Sequence, residues 1–125
     1  MSLKSWKEEF YPCAANSKEA QEKPVTHSLR KWKGALPENL KRHGMRNNSC
    51  GDICSSRRGI FCFDSDSCAL CIASSEPYRV NCNLCHIKAA TGNDCIDEFN
   101  RFVIEDDPKP MIELLEKTAK KFPDL

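Results

Sequence analysis

The residues best suited to chemistry are the cysteines of Cys68-Ala-Leu-Cys71 and Cys82-Asn-Leu-Cys85, two Cys-x-x-Cys pairs with ten residues between them. A thiolate is a soft, strong metal ligand. A Cys-x-x-Cys turn aims two sulfurs at one ion, and two such turns supply the four ligands of a tetrahedral zinc site. The usual separation is about 15–20 residues. The shorter one here suits a tight hairpin, with Ser74-Ser75-Glu76-Pro77 as its turn and Tyr78-Arg79-Val80 extended. The spacing therefore predicts zinc held by Cys68, Cys71, Cys82 and Cys85. Four protein ligands leave no coordination position for water, so such a site reads as structural rather than catalytic.

The remaining cysteines say less. Cys50, Cys54, Cys62 and Cys95 could hold a second ion, with His43 or His86 replacing one of them, but their spacings match no motif. His86 directly follows Cys85; a neighbour of a ligating cysteine usually points away from the ion, so its expected role is a donor to a thiolate or an exposed ring. Cys13 stands apart and reads as a small buried hydrophobe. Three other chemistries compete with zinc. Cys62-x5-Cys68-x2-Cys71 is one residue longer than the plant-type opening Cys-x4-Cys-x2-Cys, which keeps an iron–sulfur cluster open. Nine cysteines in 125 residues is also the density of a disulfide-stapled domain, although an odd count and a polar Met1–Phe10 stretch speak for a reduced, cytoplasmic setting. Cys82-x-x-Cys85-His86 matches a haem c attachment motif, which requires export. A thioredoxin-like redox pair would need a βαβ pattern that is not visible here.

Charge is unevenly spread. Residues 1–59 carry twelve Lys/Arg against six Asp/Glu, and residues 60–125 carry seven against twelve, although the whole chain is only +1. Arg30, Lys31, Lys33, Lys41 and Arg42 surround Trp32 in the basic half. Basic residues around an aromatic can grip phosphates and stack bases, so residues 25–44 are a candidate surface for a protein or nucleic-acid partner. The competing reading has Trp32 inward and the cations solvated. No apolar run reaches the ~20 residues of a membrane span.

The elements that must position these groups read as mainly helical. Trp6 and Phe10 share a helical face before Pro12, and Met1-Ser2-Leu3 carries no structural weight. Asn16 or Ser17 caps a short helix. Val25, Leu29 and Trp32 recur at helical spacing up to Gly34, and a second short helix runs over 38–43 to Gly44, so residues 25–44 form a basic helical hairpin. Met45–Arg58 reads as a loop, Ile60–Phe63 as a strand, and Asp64–Ser67 as a turn. Ile96, Phe99, Phe102 and Val103 predict a helix that ends at Asp106-Asp107-Pro108. Met111, Ile112, Leu115, Ala119 and Phe122 predict the buried stripe of a last helix.

Three stretches together resemble a family of small, uncharacterised cysteine-rich proteins of bacterial and phage genomes. They are His27-Ser28-Leu29-Arg30-Lys31-Trp32 with Pro37-Glu38-Asn39-Leu40 and His43-Gly44; Cys68-Ala-Leu-Cys71 with Cys82-x-x-Cys85 and Cys95; and Asp107-Pro108-Lys109-Pro110-Met111-Ile112. The resemblance spans residues 5–122. His86 stands where the family commonly has Pro, and Cys50, Cys54 and Cys62 fall outside the family pattern. The resemblance implies a single cysteine-rich module and no assigned activity.

The resulting expectation is one small, mainly α domain over residues 5–122: a basic helical hairpin (25–44), a Cys-rich zinc-ribbon or knuckle-like region (50–95) and C-terminal helices (95–122). Its expected function is a zinc-stabilised interaction module.

Overall fold

The computed structural model describes residues 2–48, 51–55, 59–76, 79–80 and 84–125. Four helices come first: α1 (Leu3–Phe10), α2 (Lys18–Glu22), α3 (Pro24–Lys33) and α4 (Pro37–Arg42). A three-stranded sheet follows, β1 (Met45–Asn47), β2 (Asp52–Ser55) and β3 (Ile60–Cys62), antiparallel in chain order. After a 3-10 turn at Ser65–Ser67 come α5 (Ala69–Ala73), the two-residue strands β4 (Ser75–Glu76) and β5 (Arg79–Val80), then α6 (His86–Thr91), α7 (Ile96–Glu105) and α8 (Lys109–Lys121). The mainly α expectation holds. Among the described residues no helix is long and apolar enough to cross a membrane.

The helices start where side chains can satisfy the free N–H groups of a first turn. Ser2 closes a capping box with Ser5, so the leader discounted on sequence is the N-cap of α1. Ser17 caps α2, and Pro24 and Pro37 open α3 and α4, where a missing N–H costs nothing. The stretch expected to be a loop contains β1 and β2. The Asn and Gly residues that suggested the loop belong to the reversal between these strands, and Asn48 N–H donates to the Asp52 carbonyl at 3.2 Å. Cys54 is consequently on a strand, opposite Arg46 and Ile60.

The sheet turns one face inward. Ile60 is exposed, Phe61 buried, Cys62 exposed and Phe63 buried, the period of two that a strand imposes. Phe61 and Phe63 meet Trp6 and Trp32 with ring centroids 4.9 Å (Trp6–Phe61) and 4.8 Å (Trp32–Phe63) apart, and Phe102 reaches Trp32 at 4.8 Å. Trp6, Ile53 and Phe102 have no exposed surface. At ~1.5–3 kcal/mol for each buried large apolar side chain, this aromatic centre is the main stabilising mass of the fold. α3 packs against α5 and α8, and α8 also receives α6 and α7. The cysteine-bearing elements thus surround α3 and α8.

The region between the two Cys-x-x-Cys pairs does contain a hairpin, β4–β5, with Ser75 opposite Val80 and Glu76 opposite Arg79. Of the four paired cysteines, Cys68 is the N-cap of α5, Cys71 lies inside it, Cys85 is the N-cap of α6, and Cys82 lies outside the described residues.

Candidate metal centre

Three cysteines occupy the same kind of position. Cys68 is the N-cap residue of α5, Cys85 of α6 and Cys95 of α7. Helix starts leave N–H groups without intrahelical partners and carry partial positive charge, which favours thiolate over thiol. At Cys68 the sulfur accepts from the Cys71 N–H at 3.3 Å. Gly92, at φ 79°, ends α6 in the left-handed region. That reversal returns the chain within three residues to Cys95, so a glycine sets the second approach to the site.

The thiols of Cys68, Cys71, Cys85 and Cys95 are neighbours. Cys68 and Cys71 share a side-chain hydrogen bond that holds the Cys68 thiol down at about 5; the Lys31 ammonium and the backbone N–H groups of Cys71 and Leu70 act the same way, and burial opposes them. The same bond pushes Cys71 up, as do burial and the charges of Cys68, Cys95 and Cys85. The pair therefore keeps one proton between two sulfurs, and a metal ion is the natural replacement for that proton.

Lys31 is the cation of the site. It is 1% exposed, and its ammonium donates to the Ser67 carbonyl at 3.0 Å and to the Ser67 hydroxyl at 3.4 Å. Its Nζ lies 5.5 Å and 5.2 Å from the ring centroids of Trp32 and Phe63. Burial lowers its basicity, and Cys68, Cys71, Asp64 and Cys95 pull the other way. A charge held this deep needs compensation, and the thiolates supply it.

A cavity of about 280 Å³ opens beside these groups, lined by Lys31, Cys68, Cys71 and Cys95 and walled by Trp32, Phe63, Leu70, Ile87, Phe99, Met111 and Leu115.

The predicted site residues therefore separate. Cys68 and Cys71 share a hydrogen bond and Cys85 lies near Cys71; Cys82 lies outside the described residues, as does Cys50. Cys95, expected at a second ion, joins the first group. Cys54 and Cys62 stay on the sheet: Arg46 Nε donates to the Cys54 sulfur at 3.5 Å, and a hydrogen bond to Asp52 raises the Cys62 thiol. Among the described residues no disulfide joins any two of the seven cysteines. No group of three or more His, Cys, Asp or Glu side chains among them is gathered tightly enough to hold a metal ion. His86 turns toward α8 and lays its ring against Phe122 at 5.1 Å.

The basic hairpin also resolves residue by residue. Trp32 is core. Lys31, expected as a nucleic-acid contact, is buried and cannot reach a phosphate, because its helical position lies on the inward stripe of Pro24, His27, Ser28 and Trp32. That stripe was the signal available in the sequence. Arg30 donates to the Glu9 carbonyl and Arg42 grips the Glu9 carboxylate at 2.7 and 2.9 Å. Lys33 and Lys41 are exposed.

One further constellation has the order of a nucleophile, base and acid: the Ser5 hydroxyl is 2.9 Å from His43 Nδ1, and His43 Nε2 is 2.7 Å from Glu9 Oε1. The Ser5 hydroxyl also lies 2.9 Å from the Ser2 carbonyl and accepts from the Ser2 N–H in the cap of α1. The group cross-links α1 to the end of α4. Comparisons of the chain with protein-family models, curated proteins and solved structures return no match, so the functional argument rests on this geometry.

Proposed function

We propose that the chain is a small metal–thiolate domain in which Cys68, Cys71, Cys85 and Cys95 hold a centre that completes the core. The observation that carries this reading is the convergence of the Cys68, Cys71 and Cys95 thiols on a cavity whose wall includes a buried lysine, with Cys85 close enough to Cys71 to raise its thiol. Zinc and an iron–sulfur cluster are the two occupants that such a donor set takes. Core residues make up much of the cavity wall, so the first role of a bound centre would be structural. In small domains a metal commonly supplies stability that a limited core cannot.

The test is metal content per chain for the wild type, Cys68→Ser and Cys54→Ser, purified without chelator. The reading expects bound metal in the wild type and in Cys54→Ser and its loss in Cys68→Ser. Equal metal in all three, or none in any, contradicts it.

A binding role for the basic hairpin is the second reading. Its support is the exposure of Arg30, Lys33, Lys41 and Arg42 on consecutive helices. Such a surface binds a polyanion with a shallow salt dependence, since each neutralised phosphate contributes about −0.9 to the log–log slope. Nucleic acid that fails to bind at low salt, or binds without salt dependence, leaves a protein partner as the remaining expectation.

A further inference from the structure

We infer that the cavity beside Lys31 binds a neutral, mainly apolar small molecule whose single oxygen head group is received by Ser28 and Lys31. The inference goes beyond the metal–thiolate reading and does not depend on it, because such a ligand sits beside the cysteines and not on them.

An unpaired polar atom is the first argument. Ser28 is 1% exposed and lines the cavity, and its hydroxyl has no hydrogen-bond partner among the described residues. Buried hydroxyls are ordinarily paired, and a serine inside a helix commonly bonds back to a carbonyl of the preceding turn. Lys31 stands three residues further along α3, on the same face of the helix, and lines the same cavity. Its ammonium has three N–H groups. The Ser67 carbonyl and hydroxyl take two of them, at 3.0 and 3.4 Å. The third N–H and the Ser28 hydroxyl can both donate to a ligand oxygen.

The wall is the second. Trp32, Phe63, Phe99 and Met111 make it apolar, with the Trp32 ring centroid 4.8 Å from Phe63 and 6.2 Å from Phe99. An apolar wall with a few placed polar groups is the usual form of a small-molecule site. The exposed residues Asp64, Ser65 and Ile96 also line the cavity, so it has a mouth to solvent. Its volume is about 280 Å³. A zinc ion held by the cysteines takes less room than one water, whose share of the liquid is about 30 Å³, and leaves most of that space to a ligand.

Charge decides the head group. The Lys31 ammonium is already answered by Cys68, Cys71, Asp64 and Cys95. A carboxylate would bring a further negative charge beside theirs, which like charges oppose. A neutral carbonyl accepts from both donors without that cost. The edge-on rings of Trp32, Phe63 and Phe99 favour an aromatic body, which packs against them in the same way.

The test titrates the full chain, its metal content recorded, with acetophenone, cumene and benzoate. These are a ketone, a hydrocarbon and a carboxylate of nearly equal size, and binding is followed by amide chemical shifts. Acetophenone should shift the α3, α7 and α8 residues that line the cavity. It should bind about fivefold more tightly than cumene and about tenfold more tightly than benzoate. Ser28→Ala should weaken acetophenone about fivefold and leave cumene within about twofold. Should Ser28→Ala fail to fold, the wild-type series decides. Equal affinity for all three probes, tightest binding of benzoate, unchanged acetophenone affinity in a folded Ser28→Ala, or no cavity shifts at saturating acetophenone overturns the inference. Acetophenone bound as expected by a chain without metal overturns the metal–thiolate reading and leaves this one standing.

Discussion

Lys31 is the residue on which the two halves of the molecule's chemistry meet. It belongs to the basic helix by sequence and to the cysteine centre by position, with its ammonium over Trp32 and Phe63 and its charge answered by thiols. Lys31→Met keeps the length and apolar contacts of the side chain and removes the charge. Bound metal should then be held about 10–100-fold more weakly, as when a group supporting the ligands is lost, read by competition with a chelator; unchanged retention would show that the charge is irrelevant to the centre. Glu9 makes a different prediction. Its hydrogen bonds to Arg42 first, and to His43, hold its carboxyl below the ordinary 4.5. A depressed folded value contributes stability that is fully present above the unfolded value and is lost as pH falls through the folded one. The urea midpoint of the wild type should exceed that of Glu9→Gln near neutrality, and the gap should close as pH falls below 4.5. Glu9 is well exposed, so the gap should be small, about 0.2–1 kcal/mol. A gap that persists in strong acid would assign the effect to packing.

At the scale of elements, the legible helices were those with a complete amphipathic signature. α8 carries its buried Met111, Ile112 and Leu115 at helical spacing, and α7 its start at Cys95 and stop at Asp106. β1 and β2 were not legible, because a three-residue strand beside Asn and Gly carries less local signal than the reversal it borders; pairing with β3 decides it. α6 was missed for a similar reason. It is only six residues long, too short to stand without the contact with α8 that holds it. Of the cysteine placements, the Cys-x-x-Cys spacing made the proximity of Cys68 and Cys71 legible, but only the fold brings Cys95 near them, since the turn at Gly92 has no motif attached to it. Gly34 tests the packing of the N-terminal helices. Trp6 Nε1 donates to its carbonyl at 2.9 Å, and a Cβ there would lie 2.7 Å from both Phe10 and Trp6. Gly34→Ala should therefore destabilise by about 1–3 kcal/mol through overpacking, read from the urea midpoint; a neutral result would mean that α1 is free to move off α3.

For the whole molecule, two centres share one core. The aromatic cluster around Trp6, Trp32 and Phe63 closes the sheet side, and the cysteine cavity lies on the opposite wall of Trp32 and Phe63, among α5, α7 and α8. The first is filled by side chains; the second is where the proposed metal centre would sit. Stripping the metal should therefore loosen α5, α6 and α7 before the sheet and α1, visible as faster amide exchange confined to those helices. The measurement that reaches the central claim most directly is X-ray absorption at the edge of the bound metal in protein as purified. The account predicts a nearest shell of sulfur alone, four atoms at about 2.3 Å, with a metal–metal distance beyond it if the occupant is a cluster. A nearest shell containing nitrogen or oxygen, or no stoichiometric metal to measure, would contradict it.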